Sequence, residues 1–350
     1  MTRYLIPILT LKDNGGGAVA LSFARALREK GNKVVVLSSG FHGDAALNRA
    51  ENCDLDFVVS PVVWGGGRLM AASLFFLYAI AYSLIFRPRL VYTHMVTGII
   101  PDFSGCRPIM LAQDIEYRFY SLNSRFIAKK LFIWVTGRAR LIVSSLWLER
   151  FFKRRKLDIL YAADVGISKS FFGNQGNVVF NQRTIDFLLI AKRGAHKRYN
   201  ETCNIAALLA NKGFNVTLID QVASNNYKSS PMLTVLGAQA QTDIRALYQK
   251  TKIFIGISRA EGYGLTPLEA LSQGCHVITS PTPSTLSIRN AALNIIYANE
   301  DLMVECVEFA SDIHANIVAN SDKWNFSYSG PYMETWASAA ASEVIQNGAQ

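Results

Sequence analysis

The stretch Lys252 to Ser280, KIFIGISRAEGYGLTPLEALSQGCHVITS, decides the fold. Residues 253–257 are a short apolar run of the kind that fills a strand buried on both faces of a parallel sheet. A glycine-rich loop follows, then a marked helix start. Thr266 stands as the N-cap, Pro267 at the first helical position and Glu269 at the third, a Thr-x-x-Glu capping box. Gly274 stops the helix, and residues 276–279 begin the next strand. Strand, loop, helix and strand make one right-handed crossover unit of a doubly wound α/β sheet. The helix N-terminus leaves backbone N–H groups unpaired and carries partial positive charge, so the loop suits an anion, phosphate above all. Gly262 and Gly264 let the backbone approach a ligand and adopt φ > 0. Glu261 and Glu269 flank the turn with seven residues between them. Taken singly, one closes the capping box and the other is a solvated loop residue; taken together, both can face one ligand.

At 350 residues, half of them hydrophobic and 18% charged, the chain has the length of two domains and the apolar content for sizeable cores. Its five cysteines (Cys53, Cys106, Cys203, Cys275 and Cys306) are scattered without a C-x-x-C pair. That reads as a reducing compartment, with neither a disulfide framework nor a zinc site. The N-terminus enters a strand directly, at residues 4–9, and lacks a signal-peptide shape. The net charge of +10 is concentrated: Arg118 to Lys156 carries eleven Lys or Arg against the single acid Glu149, and the rest of the chain balances. Such a segment implies a polyanionic surface or partner, membrane or nucleic acid. Its cations are interleaved with Phe126, Phe132, Trp134, Phe151 and Phe152, as in a helix lying at a lipid interface. Residues 69–86 are eighteen in a row without a charge, the lower edge of membrane-spanning length. Strands of one sheet are expected on both sides of them, which excludes a span. On a helical wheel Met70, Leu74, Leu77, Ile80 and Leu84 form the face expected to pack on the sheet. Phe75, Tyr78, Tyr82 and Phe86 form the opposite face, covered by a neighbouring helix or dipping into lipid.

The first half alternates strand-like runs at 4–9, 33–38, 56–60, 90–93, 109–112 and 141–144 with helical stretches, the last run closing a parallel sheet. Gly15-Gly16-Gly17 lie between the first strand and a helix reaching Lys30, where phosphate loops lie. They lack the Lys-Ser/Thr of a P-loop and the G-x-G-x-x-G spacing, so a tight turn and a ligand loop are both open. Asp54-Leu55-Asp56 is a D-x-D, but its apolar run follows rather than precedes it, and no metal site is expected. His94 and Gln113-Asp114 stand at carboxyl ends of strands, where open α/β sheets bind ligands. The connection between domains falls in 158–181, a segment containing Gly166, Gly173 and Gly176. A strand at 185–191 then runs into Lys192-Arg193-Gly194-Ala195-His196-Lys197-Arg198. Four cations at a strand's carboxyl end suit a diphosphate; an ordinary basic turn is the alternative. A helix at 201–211, strands at 215–220 and ending at Leu236-Gly237, and a helix at 243–249 complete the second half.

Glu261-Gly-Tyr-Gly-Leu-Thr-Pro-Leu-Glu269 closely resembles the E-x7-E segment of retaining, family-4-type glycosyltransferases (glycosyltransferases group 1), which have the two-Rossmann-domain GT-B fold. The resemblance implies two doubly wound domains facing across a cleft. Residues 1–165 would be the acceptor-side domain with the basic, membrane-facing surface, and 166–325 the nucleotide-sugar-binding domain. Residues 326–350, from Phe326-Ser327, would be a C-terminal helix crossing back. It implies Glu261, Arg193 and Lys197 as catalytic residues, the first on the donor sugar and the two cations on the diphosphate. Lys192 or Arg198 could take either cation's role, and Lys197 is expected to be exposed. Glu269 would hold the ribose, with Gly262, Tyr263, Gly264, Leu265 and Thr266 lining the donor pocket and Gly16 in a glycine loop beside it. Gln113 stands where the family commonly has a His near the donor sugar. Gln113-Asp114-x-Glu116 is similar to some rhamnosyl-transferring members, whose 6-deoxy sugar has no 6-hydroxyl for that His to bind. Asp114 and His94 are further candidates for sugar or acceptor contacts. The expectation is metal-independent, cofactor-free transfer from a nucleotide-diphosphate sugar to a glycan or polyprenyl-linked acceptor. The protein would be cytoplasmic and peripheral on the anionic inner face of the cell membrane, without a nucleic-acid partner. Two rivals stand beside it: another activity of the same fold (nucleotide-sugar epimerase or phosphorylase), and a non-enzymatic membrane or nucleic-acid binder using residues 118–156.

Overall fold

Short runs of valine, isoleucine and leucine buried on both faces build two parallel sheets. The computed structural model describes residues 1–9, 15–39, 56–59, 68–171, 180–192, 194–222, 228–287, 292–296, 302–319 and 332–347. The chain forms two compact units: Met1–Val165 with Pro331–Gln350, and Gly166–Gly330.

In the first unit β1 (Arg3–Ile8) pairs in parallel with β2 (Lys33–Ser38) on one side, Leu5 opposite Val35, and β3 (Asp56–Val59) lies beyond β2. On its other side come β4 (Arg89–Tyr92), β5 (Ile109–Ala112), β6 (Arg140–Val143) and β7 (Ile159–Ala162). The strand order reverses between β1 and β4, the kind of switch point at which open α/β sheets bind ligands. Helix α1 (Gly15–Glu29) buries Val19, Ala20, Phe23, Ala24 and Leu27 at helical spacing, and the C-terminal helix Met333–Asn347 packs against it. Helices α2 (Arg68–Phe86), α3 (Leu122–Arg138) and α4 (Leu146–Lys153) bury Phe75 and Ala79, Ala128 and Phe132, and Leu148 and Phe152 in one cluster with the sheet. No α1 residue enters that cluster. Right-handed crossovers running in opposite directions from β1 put α2, α3 and α4 together on the face away from α1.

Three expectations need correction here. Residues 141–144 do not close the sheet, because β7 pairs in parallel outside β6. Ile159-Leu160-Tyr161-Ala162 is an edge strand, half-buried along its length and with one neighbour, so its apolar signal is weak. The buried face of α2 is also neither of the two expected: Tyr78 and Phe86 are exposed, and Ile80 packs partly buried against the core. Ala71, Phe75, Ala79 and Ser83 are buried, whereas Leu77 is 65% and Leu84 54% exposed. Small residues let the helix approach the sheet and leave room for Phe75; Ser83 Oγ donates to Pro101 O. A helix apolar all round carries no amphipathic signal, so side-chain volume decides its orientation. Finally, Phe132 and Phe152, assigned to the basic surface, are core residues, while Phe126 and Trp134 are exposed. By length and composition α2 could cross a membrane, with a mean hydropathy of 2.1 over Leu69–Phe86. It joins β3 to β4 of one sheet, and a span would separate them. Asp54 and Leu55 of the D-x-D, Gly173, Gly176 and Phe326-Ser327 lie outside the described residues.

In the second unit the order is β10 (Leu233–Leu236), β9 (Val216–Asp220), β8 (Ile185–Ala191), β11 (Thr251–Gly256), β12 (His276–Thr279) and β13 (Leu293–Ile295). Helices α5 (Tyr199–Asn211), α6 (Gln241–Gln249), α7 (Leu265–Ser272), α8 (Pro283–Ser287) and α9 (Leu302–Ala319) fill the crossovers. Phe187, Leu189, Ile205, Leu209, Ile253 and Ile255 centre its core. At the amino edge Asp186 takes Lys252 Nζ at 2.7 Å and His314 Nε2 at 2.9 Å, anchoring β8, β11 and α9. The order reverses between β8 and β11, a second switch point.

The orientation of α2 is testable. Ala79→Leu overpacks a buried contact and should destabilise by about 1–3 kcal/mol, whereas Leu77→Ser on the exposed side should change stability by less than about 0.5 kcal/mol. Thermal unfolding of both variants checks this. A larger loss in Leu77→Ser would restore the face expected from the wheel.

Candidate functional site

Loops from β8, β11 and β12 meet at the carboxyl edge of the second sheet. β8 delivers Lys192, and the turn after Gly194 presents Lys197, whose Nζ lies 2.5 Å from Glu261 Oε2. Ser258 Oγ donates to Glu261 Oε1 at 2.7 Å, and Lys192 Nζ donates to Thr266 Oγ1 at 2.7 Å. Burial by itself would raise the Glu261 pKa. The ammonium groups of Lys197 and Lys192 outweigh it and leave the carboxyl below its ordinary value, so Glu261 is anionic at neutral pH. Desolvation lowers the Lys192 pKa, and the like charge of Lys197 adds to this, against the pull of Glu261 and Glu269. Lys192, Lys197, Ser258, Glu261, Thr266 and Thr282 line a hollow of about 30 Å³. Cations and carboxylate thus occupy one another's space. Lys197 is half-buried against Glu261, not exposed as expected, because the pair folds inward over the loop.

The capping box does not form. Gly264 is the N-cap, with φ +88° and no side chain to cap with, and the helix starts at Leu265. Thr266 therefore lies inside the first turn, where its Oγ1 accepts from Lys192 Nζ. Pro267 is also in the first turn, where its missing N–H costs nothing, and Glu269 falls too far along the helix to close a cap. Glu269 is half-buried on α7. A Cβ at Gly264 would lie 2.8 Å from Thr282 Oγ1, so glycine is required there by space as well as by φ. The loop is held by hydroxyls that sequence reasoning did not single out. Ser284 Oγ donates to Gly264 O at 2.7 Å, the Ser284 N–H to Tyr263 O at 2.9 Å, and the Ser258 N–H to Ser280 Oγ at 2.7 Å. The available signal was five hydroxyl residues within Thr279–Thr285, just past a strand's carboxyl end. The Tyr263 side chain is buried, while Gly262 and Leu265 are partly exposed.

Of the other cations, Arg193 lies outside the described residues. Arg198, at φ +49°, turns to Glu201 at the start of α5, 3.6 Å away. His196 has its pKa lowered by desolvation and by Lys197, so its ring is neutral at pH 7. In the first unit Gln113 Nε2 donates to Gly16 O at 3.2 Å, joining the glycine run to the end of β5. His94 accepts from the Val96 N–H at Nδ1, 3.1 Å, and meets Glu116 Oε2 through Nε2 at 2.9 Å, which makes Nε2 the protonated nitrogen. Glu116 is buried and also accepts from the Met95 N–H, so it fixes the His94 loop. Asp114 is half-buried at the same edge.

Residues 181–301 match the family described as Glycosyl transferases group 1. A sequence search among curated proteins returns no match. Similar solved structures include WaaG, a glycosyltransferase involved in lipopolysaccharide biosynthesis, at 14% identity, covering 99% of this chain and 100% of that one with a TM-score of 0.67. Anabaena Alr3699/HepE in complex with UDP and glucose matches at 14% identity, over 99% and 96% of the two chains, with a TM-score of 0.69. UDP-GlcNAc 2-epimerase from Neisseria meningitidis, bound to UDP-GlcNAc, matches at 11% identity over 99% and 100%, with a TM-score of 0.64. At these identities the likenesses speak for the shared GT-B fold, and the family match speaks for the second unit. Within that fold, residues 181–301 carry the match to glycosyl transferases group 1, and glycosyl transfer is the activity this similarity points to.

Proposed function

We propose that the chain transfers a sugar, with retention, from a nucleotide-diphosphate donor to a lipid-linked or cell-surface glycan acceptor, without a metal ion. The observation that carries the reading is the cluster of Lys192, Lys197 and Glu261 beside the N-terminus of α7. As the sugar leaves, negative charge builds on the diphosphate. Lys192, Lys197 and the unpaired N–H groups of the first turn of α7 stabilise it, with Arg193 as a further candidate. Lys197 has three donors, one of them directed to Glu261, so it can bridge that carboxylate and a phosphate oxygen. Anionic Glu261 accepts hydrogen bonds from donor-sugar hydroxyls, Gly262 to Thr266 line the donor, and Glu269 takes the ribose. Since Gly264 leaves no cap for Glu269 to complete, the capping explanation of that carboxylate loses its basis. Gly16 is assigned to the donor-side glycine loop, and Gln113, Asp114 and His94 to sugar or acceptor contacts in the first unit.

The reading puts the meeting with the acceptor at the cytoplasmic membrane face, and the α2–α3–α4 layer supports it. Exposed Leu77 and Leu84 on α2, Phe126, Ile127 and Trp134 on α3, and Trp147 on α4 accompany the concentrated cations. Lys130 lies 4.4 Å from the Phe126 ring, and Arg138 4.4 Å from that of Trp134. Cations beside large apolar side chains are what an anionic lipid interface binds.

Incubation with a panel of nucleotide sugars, with and without acceptor extract, should release nucleoside diphosphate faster with acceptor and be insensitive to chelator. A 2-epimerised nucleotide sugar formed without acceptor would favour the epimerase reading. Lys197→Gln, which still donates to Glu261, should lower turnover by about 10²-fold or more with an unchanged unfolding temperature. Glu269→Gln should weaken nucleoside-diphosphate binding by about 1–2 kcal/mol, the margin of a charge-assisted bond. Parental values in both variants would remove the assignment.

Replacing Lys153, Arg154, Arg155 and Lys156 together by Ser should release the protein from anionic vesicles, since each such cation contributes about 1 kcal/mol near an anionic leaflet. High salt should weaken the parent's binding too. Recovery in the supernatant with anionic and neutral vesicles alike would defeat the membrane reading, and tight salt-dependent binding to RNA or DNA would favour its rival.

A further inference from the structure

Between α3 and α4, on the outer side of the layer just described, lies a hollow of about 270 Å³. That is larger than the apolar cavity of about 150 Å³ known to take up benzene. Its walls are Tyr117, Phe132, Ile133, Thr136, Phe151 and Leu157. Of its two hydroxyls, the Tyr117 phenol and Thr136 Oγ1, the second is already directed to Phe132 O at 2.8 Å, so most of the wall makes little demand for water. Two cations, Lys129 and Arg155, stand at the rim, both exposed. The Arg155 guanidinium carbon lies over the Phe151 ring, 3.6 Å from its centroid, and one donor of the fork goes to Phe151 O at 3.0 Å. A guanidinium has five donors in all, suited to bidentate contact with a phosphate. Glu149, the one acid between Arg118 and Lys156, is paired with Lys153 at 2.7 Å. An apolar slot with a cationic mouth matches a hydrocarbon chain ending in an anion.

We propose that this hollow holds the hydrocarbon chain of an anionic membrane lipid, with its phosphate between Lys129 and Arg155. The proposal rests on the membrane-face reading above and deepens it: the protein would take one lipid chain out of the bilayer rather than only adhere to the surface. The slot would then fix the depth and rotation of the first unit on the membrane.

The test uses dodecyl phosphate below its micelle concentration, titrated calorimetrically into the full chain, with inorganic phosphate and dodecyl maltoside as separate arms. Dodecyl phosphate should bind one-to-one, and the other two at least about tenfold more weakly, since each lacks either the chain or the charge. Ile133→Trp, which fills the slot from its half-exposed rim, and Lys129→Ser with Arg155→Ser should each weaken dodecyl phosphate by about tenfold or more. No saturable binding, equal binding of the maltoside or of inorganic phosphate, or full affinity in Ile133→Trp would overturn the proposal. Vesicle co-sedimentation of the parent separates the two readings. Vesicle binding without dodecyl phosphate binding removes the slot and keeps the membrane face. Dodecyl phosphate binding without vesicle binding would leave a site for a soluble anionic amphiphile and overturn both the membrane face and the membrane lipid as its occupant.

Discussion

Gly264 stands at φ +88° with Thr282 and Ser284 packed where a side chain would begin. A residue with a Cβ would meet both the backbone strain of the left-handed region, roughly 1–2 kcal/mol, and a contact far inside van der Waals distance. The rest of the site depends on this point. The turn at Gly264 ends the loop from β11 and starts α7 at Leu265, which aims the helix's unpaired N–H groups at the carboxyl edge of the sheet. It also leaves Glu261 between Ser258 and Lys197, and Thr266 under Lys192. Hydroxyls from the next strand's loop hold the turn from behind.

Seen this way, the Lys197–Glu261 pair has little to do with folding. A half-buried ion pair contributes little net stability, because desolvation of both charges offsets their attraction. Two lysines, one carboxylate and a helix N-terminus around so small a hollow instead give a concentration of preorganised charge. In the reading proposed above, a diphosphate would lie over this cluster and draw on its charge rather than enter the hollow, which is the size of a water molecule. In the first unit the charge lies differently, spread over exposed side chains of α3 and α4 among aromatic rings, where water and salt screen it. The half-buried cluster suits tight recognition of one small anion, and the exposed one suits loose adhesion to an extended anionic surface.

Much of the fold was legible from local pattern. Strands at 33–38, 109–112, 185–191 and 276–279 have the bounds of β2, β5, β8 and β12, because fully buried parallel strands are continuous apolar runs between turn residues. What failed were features that pattern does not carry. β7 has one neighbour and half-buried residues, and α2 is apolar on every side, so packing volume alone chose Ala71, Phe75, Ala79 and Ser83 for its buried face. The helix start was misjudged by two residues because a glycine in the left-handed region competed with a good Thr-x-x-Glu string and won. At the candidate site the glutamate loop and the run of cations were both visible. Their pairing was not, since Lys197 and Glu261 are 64 residues apart. The supporting hydroxyls of 279–285 showed only as a cluster past a strand end, because their role is defined by the loop they back.

The central claim is that the edge of the second sheet is built for a diphosphate. Calorimetric titration with UDP, GDP and ADP, each beside its monophosphate and its nucleoside, tests it most directly. The account predicts that the best-bound diphosphate exceeds its own nucleoside by about 100-fold or more, as two charge-assisted contacts and a helix terminus require, and that Lys197→Gln removes most of that difference. Equal affinity for diphosphate and nucleoside would contradict it.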